Sequence, residues 1–188
     1  MNLPNKLTIL RIALVPVFAL FAALAIPAQS RLLYFLAGTV FAVASITDLL
    51  DGRIARSRGL VTNFGKFADP LADKILTTAA FLYMQKEGVS DPLVLILILS
   101  REFAVSGLRM LSAGQPGGKV IPANIWGKLK TTTMMVSILF FYFGSALFPS
   151  WGLVRPLSRI LCWVCAAATL ISGLTYFRDS RDLFNDLK

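Results

Sequence analysis

With 188 residues, 56% of them hydrophobic and 15% charged, the chain has too few polar side chains to cover a soluble domain, which places it among membrane proteins. Nineteen Lys and Arg against ten Asp and Glu leave a net charge of +9, an excess suited to membrane lipids with anionic headgroups, and no nucleic-acid partner is expected. Histidine is absent, which excludes Ser-His-Asp and Cys-His catalysis and any imidazole acid or base; the chemistry must rest on carboxylates, lysines or bound metal.

Apolar runs of membrane-spanning length follow one another at about 9–26, 32–50, 67–84, 92–111, 127–148 and 157–177. The predicted fold is an all-α integral membrane protein, with six transmembrane helices in a single domain over 1–188. A short interfacial segment, Met1–Leu10, with Pro4, Asn5 and Lys6, is expected before the first pass. The first run begins about nine residues in and five more follow, so it is expected to stay in the protein rather than leave as a secretory signal. Connectors are predicted at Pro27–Arg31, Lys86–Pro92 and Pro149–Pro156. Six passes put both termini on one side. Most basic residues, from Lys6 through Arg53, Arg56, Lys66 and Lys128 to Lys188, lie at or near that side, while the opposite connectors hold Arg31, Lys86, Arg155 and Arg159. The positive-inside bias makes the richer side cytoplasmic. Small residues such as Gly38, Ala44, Gly107 and Gly144 are expected at close helix contacts. Cys162 and Cys165 form a C-x-x-C within an apolar run; lacking two further soft ligands, they read as packing residues.

The second run ends in TDLLDGRIARSRG and the third opens with GKFADPLADK, so Asp48, Asp51, Asp69 and Asp73 fall at apolar helix margins. Four of the ten acidic residues thus sit within 26 positions. At 3.6 residues per turn, Asp48 and Asp51 lie about 60° apart on one helix, and Asp69 and Asp73 about 40° apart on the next. Each pair lines one face of neighbouring antiparallel helices. Four convergent carboxylates need positive charge between them, either from neighbouring arginines as salt bridges or from hard divalent cations held by oxygen ligands. Arg101 and Glu102 stand mid-run in the fourth segment, about 100° apart, and are not expected to pair on one face. A buried guanidinium at 101 suits phosphate recognition or an interhelical clamp. GQPGGK, ending at Lys119, lacks the first glycine and the closing hydroxyl of a phosphate loop.

The pattern Asp48-x2-Asp51-Gly52-x2-Ala55-Arg56-x8-Gly65-x3-Asp69-x3-Asp73 resembles without exception the signature of the CDP-alcohol phosphotransferases. Ser100-Arg101-Glu102-Phe103 with Gly107-Leu108-Arg109, Gly127-Lys128-Leu129-Lys130-Thr131, and the opening Pro4-Asn5-Lys6-Leu7-Thr8-Ile9-Leu10-Arg11 are similar to the bacterial branch that makes phosphatidylglycerophosphate. The resemblance implies transfer of a phosphatidyl group from CDP-diacylglycerol to glycerol 3-phosphate, with release of CMP, in the bacterial cytoplasmic membrane. It implies that Asp48, Asp51, Asp69 and Asp73 bind two Mg²⁺ or Mn²⁺ ions and that Asp73 is also the catalytic base. It assigns the CDP head to Asn5, Thr8, Gly52, Arg56 and Thr62, and implies a homodimer. The acceptor phosphate then falls to Arg101, Arg109, Lys119, Lys128 and Lys130. The alternatives are a sibling enzyme using serine, an inositol phosphate or phosphatidylglycerol, or an ion-coupled transporter. A transporter would spread its carboxylates along a route through the bilayer rather than cluster them at one end of two helices.

Overall fold

The computed structural model describes residues 3–57, 62–114, 125–148 and 151–179. Among these the chain forms six helices and no strand: α1 (Leu3–Ala28), α2 (Arg31–Ser57), α3 (Asn63–Lys86), α4 (Pro92–Gly114), α5 (Ile125–Leu147) and α6 (Trp151–Asp179). Each predicted pass falls on one of them to within a residue. The differences lie at the ends, where polar residues continue a helix that the apolar run alone does not mark. α1 is unbroken from Leu3, so the interfacial segment is not a separate element; from Leu3 onward it is the opening of α1. α6 begins at Trp151, inside the predicted 149–156 connector, with Pro156 in its second turn. A proline so near a helix start removes the donor for a single early carbonyl and is tolerated.

Three segments among the described residues are long and apolar enough to cross a membrane: Asn5–Ala28, Arg31–Gly52 and Gly152–Arg178. α3, α4 and α5 are of similar length, at 24, 23 and 23 residues. Their apolar character is diluted by Asp69, Asp73 and Lys74 on α3, by Arg101, Glu102 and Arg109 on α4, and by Lys128, Lys130 and three threonines on α5.

α1 packs against α2 and α3, α2 against α5, and α6 against α4 and α5, while α3 meets α4 and α5 more sparsely. The shared core gathers Phe18, Phe41, Phe81, Ile138, Phe141 and Tyr142. The Phe18 ring stands 5.9 Å from that of Phe41 and 5.3 Å, edge-on, from that of Tyr142, an arrangement aromatic quadrupoles favour. Gly38 and Gly144 meet the close-contact expectation: a Cβ would come within 3.1 Å of Tyr142 Cβ at the first and 3.0 Å of Val154 Cγ1 at the second. Gly107 does not, having nothing within 4 Å. Cys162 and Cys165 are buried and unbridged, as packing residues.

The α3–α4 turn closes in a Schellman arrangement. Gly88 has φ +71°, Val89 N donates to Met84 O at 2.9 Å and Gly88 N to Gln85 O at 2.8 Å. Asp91 then caps α4, accepting from Leu93 N at 2.8 Å, with Pro92 at the first helical position. At this end Glu87 accepts from Tyr34 Oη and from Arg155 Nη2, both at 2.7 Å. Arg31 donates to the carbonyls of Ala146 and Leu147 at 2.7 and 2.8 Å, and Arg159 to that of Gly88 at 2.5 Å. Three of the four basic residues predicted for the opposite connectors therefore cross-brace α2, α3, α5 and α6 at the end away from the aspartates.

Candidate active site

α2 carries Asp48 and Asp51 towards its C-terminal end, and α3 carries Asp69 and Asp73 within its first three turns. The start of α3 is fixed locally. Thr62 is its N-cap, with extended backbone (φ −110°, ψ 157°), and its Oγ1 accepts from Gly65 N at 3.0 Å. The same hydroxyl donates to Asn5 Oδ1 at 2.8 Å. Thr8, three residues further along α1, donates to Asp69 Oδ1 at 2.5 Å. Gly65 lies among these groups: a Cβ there would come within 3.3 Å of Thr62 Oγ1, 3.5 Å of Asp69 Oδ2 and 3.6 Å of Asn5 Oδ1. Asn5, Thr8 and Thr62 are thus brought to one edge of the aspartate cluster, tying α1 to α3. Gly52 follows Asp51 on α2; the side chain of Arg56 lies outside the described residues.

Arg11 is the residue that pattern reasoning missed. Its side chain is fully buried, and its guanidinium makes ion pairs with Asp51, with Asp48 Oδ1 at 2.8 Å and with Asp69 Oδ1 at 3.8 Å. A charge inside the first apolar run, on the same face as Thr8, was the available signal. The neighbouring-arginine alternative is realised here, but by an arginine from α1. The donor set is all-oxygen and gathers round one positive centre, which fits a hard divalent cation in charge and chemistry. Among the described residues no three acidic or sulfur side chains close on one point as a finished metal site does. Arg11 stands between them, and a cation would need it to give way.

Asp73, one turn beyond Asp69, lines a cavity between α3, α4 and α5 together with Lys74, Thr77, Glu102 and Lys130. A second, positive cluster adjoins that cavity, with Lys74 and Lys130 in its lining. Lys130, buried on α5, donates to Glu102 Oε1, which also accepts from Arg101 Nη1 at 3.1 Å. Arg101 and Glu102 therefore do pair, contrary to expectation, because their side chains are long enough to bridge the angle between adjacent helix positions. Arg101 Nη2 donates to Ser172 Oγ at 2.5 Å, Arg109 donates to Tyr176 Oη, and Lys74 Nζ donates to Ser106 Oγ at 2.7 Å. Among the described residues Lys74, Arg101, Arg109 and Lys130 outnumber Glu102 in this cluster, and Lys74 and Lys130 share the cavity with Asp73.

Of the predicted acceptor residues, Arg101, Arg109 and Lys130 are brought together. Lys128 is exposed, about 200° round the helix from Lys130, and Lys119 lies outside the described residues. Lys74, Ser172 and Tyr176 were not foreseen. Lys74 was marked by its charge beside Asp73; Ser172 and Tyr176 enter through the α4–α6 contact, which leaves no local trace.

The chain matches the CDP-alcohol phosphatidyltransferase family over residues 1–171. It is 40% identical over 188 aligned residues to the CDP-diacylglycerol–glycerol-3-phosphate 3-phosphatidyltransferase of Bacillus subtilis strain 168, covering 94% of this chain and 93% of the relative. Proteins of the same name are 38% identical in Rickettsia bellii, covering 97% of each chain, and 34% identical in Pseudomonas fluorescens, covering 95% of this chain and 89% of the relative. With its signature aspartates gathered at one end of two neighbouring helices, the chain belongs to the CDP-alcohol phosphatidyltransferase family.

Proposed function

We propose that this chain transfers the phosphatidyl group of CDP-diacylglycerol to sn-glycerol 3-phosphate, giving phosphatidylglycerophosphate and CMP. The observation that carries the reading is the pair of opposed clusters flanking Asp73. On one side three aspartates surround a single buried positive charge; on the other, lysines and arginines outnumber Glu102. The first suits a pyrophosphate bridged by cations, the second a separate anionic substrate. Serine or free inositol, which carry no phosphate, would leave the positive surplus unanswered. The names of the relatives agree with this acceptor.

We assign Asp48, Asp51, Asp69 and Asp73 to two Mg²⁺ or Mn²⁺ ions. When bound, the ions neutralise the pyrophosphate and the charge that builds on the attacking and leaving oxygens. The remaining work belongs to the chain. Asn5, Thr8, Gly52, Arg56 and Thr62 hold the CDP head, with Thr8 and Thr62 already ordered by their bonds to Asp69 and Asn5. Arg101, Arg109 and Lys130 hold the acceptor phosphate, and Lys119 and Lys128 draw it in by their field. So anchored, the acceptor presents its hydroxyl to Asp73. As that oxygen bonds to the lipid-side phosphorus, the bond from phosphorus to CMP breaks, CMP leaves with the electron pair, and Asp73 takes the hydroxyl proton.

The chain is a membrane protein. All six helices are read as spans: α3, α4 and α5 are about 35 Å long at 1.5 Å per residue, enough for a hydrocarbon core of about 30 Å. Asp69, Asp73, Lys74, Arg101, Glu102, Arg109 and Lys130 belong to the two clusters, while the exposed Lys86 and Lys128 lie within a turn of their helix ends. The excess of Lys and Arg puts both termini and the aspartate end on the cytoplasmic side of a bacterial inner membrane, in a single domain that associates as a homodimer. CMP release from CDP-diacylglycerol by detergent-purified protein tests the reading. It should require glycerol 3-phosphate, stop in EDTA and return with Mg²⁺. A requirement for serine or an inositol phosphate instead would overturn the acceptor, and full activity in EDTA would overturn the metal.

A further inference from the structure

The two acceptor arginines are seated by a helix that carries none of the aspartates. Arg101 and Arg109 lie eight residues apart on α4, about 12 Å along its axis. Both guanidiniums nevertheless face one side chain of α6, at 5.4 and 5.3 Å from the centroid of the Tyr176 ring. Tyr176 Oη accepts from Arg109. One turn earlier, Ser172 Oγ accepts from Arg101 Nη2 at 2.5 Å. Between them Gly173 leaves room for the arginine stem: a Cβ there would come within 3.2 Å of Arg101 Cγ. Ser172, Gly173 and Tyr176 are all buried. Each guanidinium also keeps a buried Nε with no hydrogen-bond partner among the described residues. Leaving such a donor desolvated and unsatisfied is costly, and an incoming anion answers it.

We propose that Ser172, Gly173 and Tyr176 form a seat on α6 that sets the spacing and plane of Arg101 and Arg109 for the acceptor phosphate, with Tyr176 as its principal positioning residue. The inference rests on the acceptor reading above. An aromatic face holds cations through its quadrupole without neutralising them. A carboxylate in that place would cancel the charge the phosphate needs, as Glu102 does in part for Lys130 and Arg101.

The test is steady-state kinetics with both substrates varied, together with melting temperatures, for wild type, Tyr176→Phe, Tyr176→Leu and Ser172→Ala. Tyr176→Phe keeps the ring and loses one hydrogen bond, so KM for glycerol 3-phosphate should rise about three- to tenfold. Tyr176→Leu loses the ring face as well, and the rise should reach about ten- to a hundredfold. KM for CDP-diacylglycerol and the melting temperature of Tyr176→Phe should stay at wild-type values. If Tyr176→Leu does not fold, the Phe and Ala variants decide. An unchanged acceptor KM in the folded variants overturns the seat, as does a parallel rise in both KM values. A wild type that ignores glycerol 3-phosphate overturns the acceptor reading and the seat with it. Acceptor-dependent wild type with unaffected variants removes the seat alone.

Discussion

Replacing Arg11 with methionine keeps most of the side-chain volume and removes the charge between Asp48, Asp51 and Asp69. The cost is unevenly shared. The Asp48 and Asp69 side chains are 32% and 36% exposed, so water screens them, whereas Asp51 at 2% has little but Arg11 to compensate it. Removing one partner of a buried ion pair costs about 3–5 kcal/mol. At roughly 2–4 °C per kcal/mol for a chain of this size, Arg11→Met should melt about 6–20 °C below wild type in EDTA. On the proposed metal assignment, divalent cations would bring the missing positive charge back to the same carboxylates. Saturating Mg²⁺ or Mn²⁺ should therefore recover most of the loss in the variant and raise wild type by less. Thermal unfolding of the two detergent-purified proteins, with EDTA and with metal, measures both effects. A variant within about 2 °C of wild type in EDTA would show that Arg11 is not the counter-charge. A large drop that metal does not recover would show that these carboxylates do not hold the cation.

Asp48→Asn and Asp69→Asn should each abolish CMP release and weaken Mn²⁺ binding measured by electron paramagnetic resonance; normal activity at limiting Mg²⁺ would remove that residue from the site. Asp73→Asn should still bind CDP-diacylglycerol but not turn over, since a base acts in the chemical step; persistent turnover would send the proton elsewhere. Single cysteines at Ser57, Gly88 and Gly152, in a background with Cys162 and Cys165 replaced by alanine, report topology. An impermeant thiol reagent on intact cells should label 88 and 152 but not 57, and the opposite pattern would invert the orientation. Glu87→Ala removes the hydrogen bond from the buried Tyr34 hydroxyl and breaks the Arg155 pair, so it should cost about 1.5–3 kcal/mol of stability while leaving both substrate KM values unchanged; altered KM values would tie that end to the chemistry.

The helices and the aspartate faces were legible in the sequence because their signals are local. Apolar runs mark the helices, and spacings of three and four residues put each aspartate pair on one face. The ends of α1 and α6 were harder to read, since Asn5, Lys6 and Arg155 continue a helix that hydropathy alone does not register. What stayed hidden is long-range pairing. Arg11 meets residues 37 to 58 positions away, and Tyr176 meets Arg109 across 67. A helical pattern records which face a side chain occupies, not which other helix that face will meet. Arg101 and Glu102 failed for the converse reason: the angular argument treats side chains as directions, and theirs are long enough to turn back towards one another.

Phosphatidyl transfer to glycerol 3-phosphate can be followed directly, from both products at once. Purified protein in mixed micelles receives CDP-diacylglycerol and radiolabelled sn-glycerol 3-phosphate with Mg²⁺, and the label entering the organic phase is compared with the CMP released. One labelled lipid should form for each CMP released, and none of either in EDTA. CMP released while the label stays in water would instead make the protein a hydrolase of the nucleotide lipid and contradict the account.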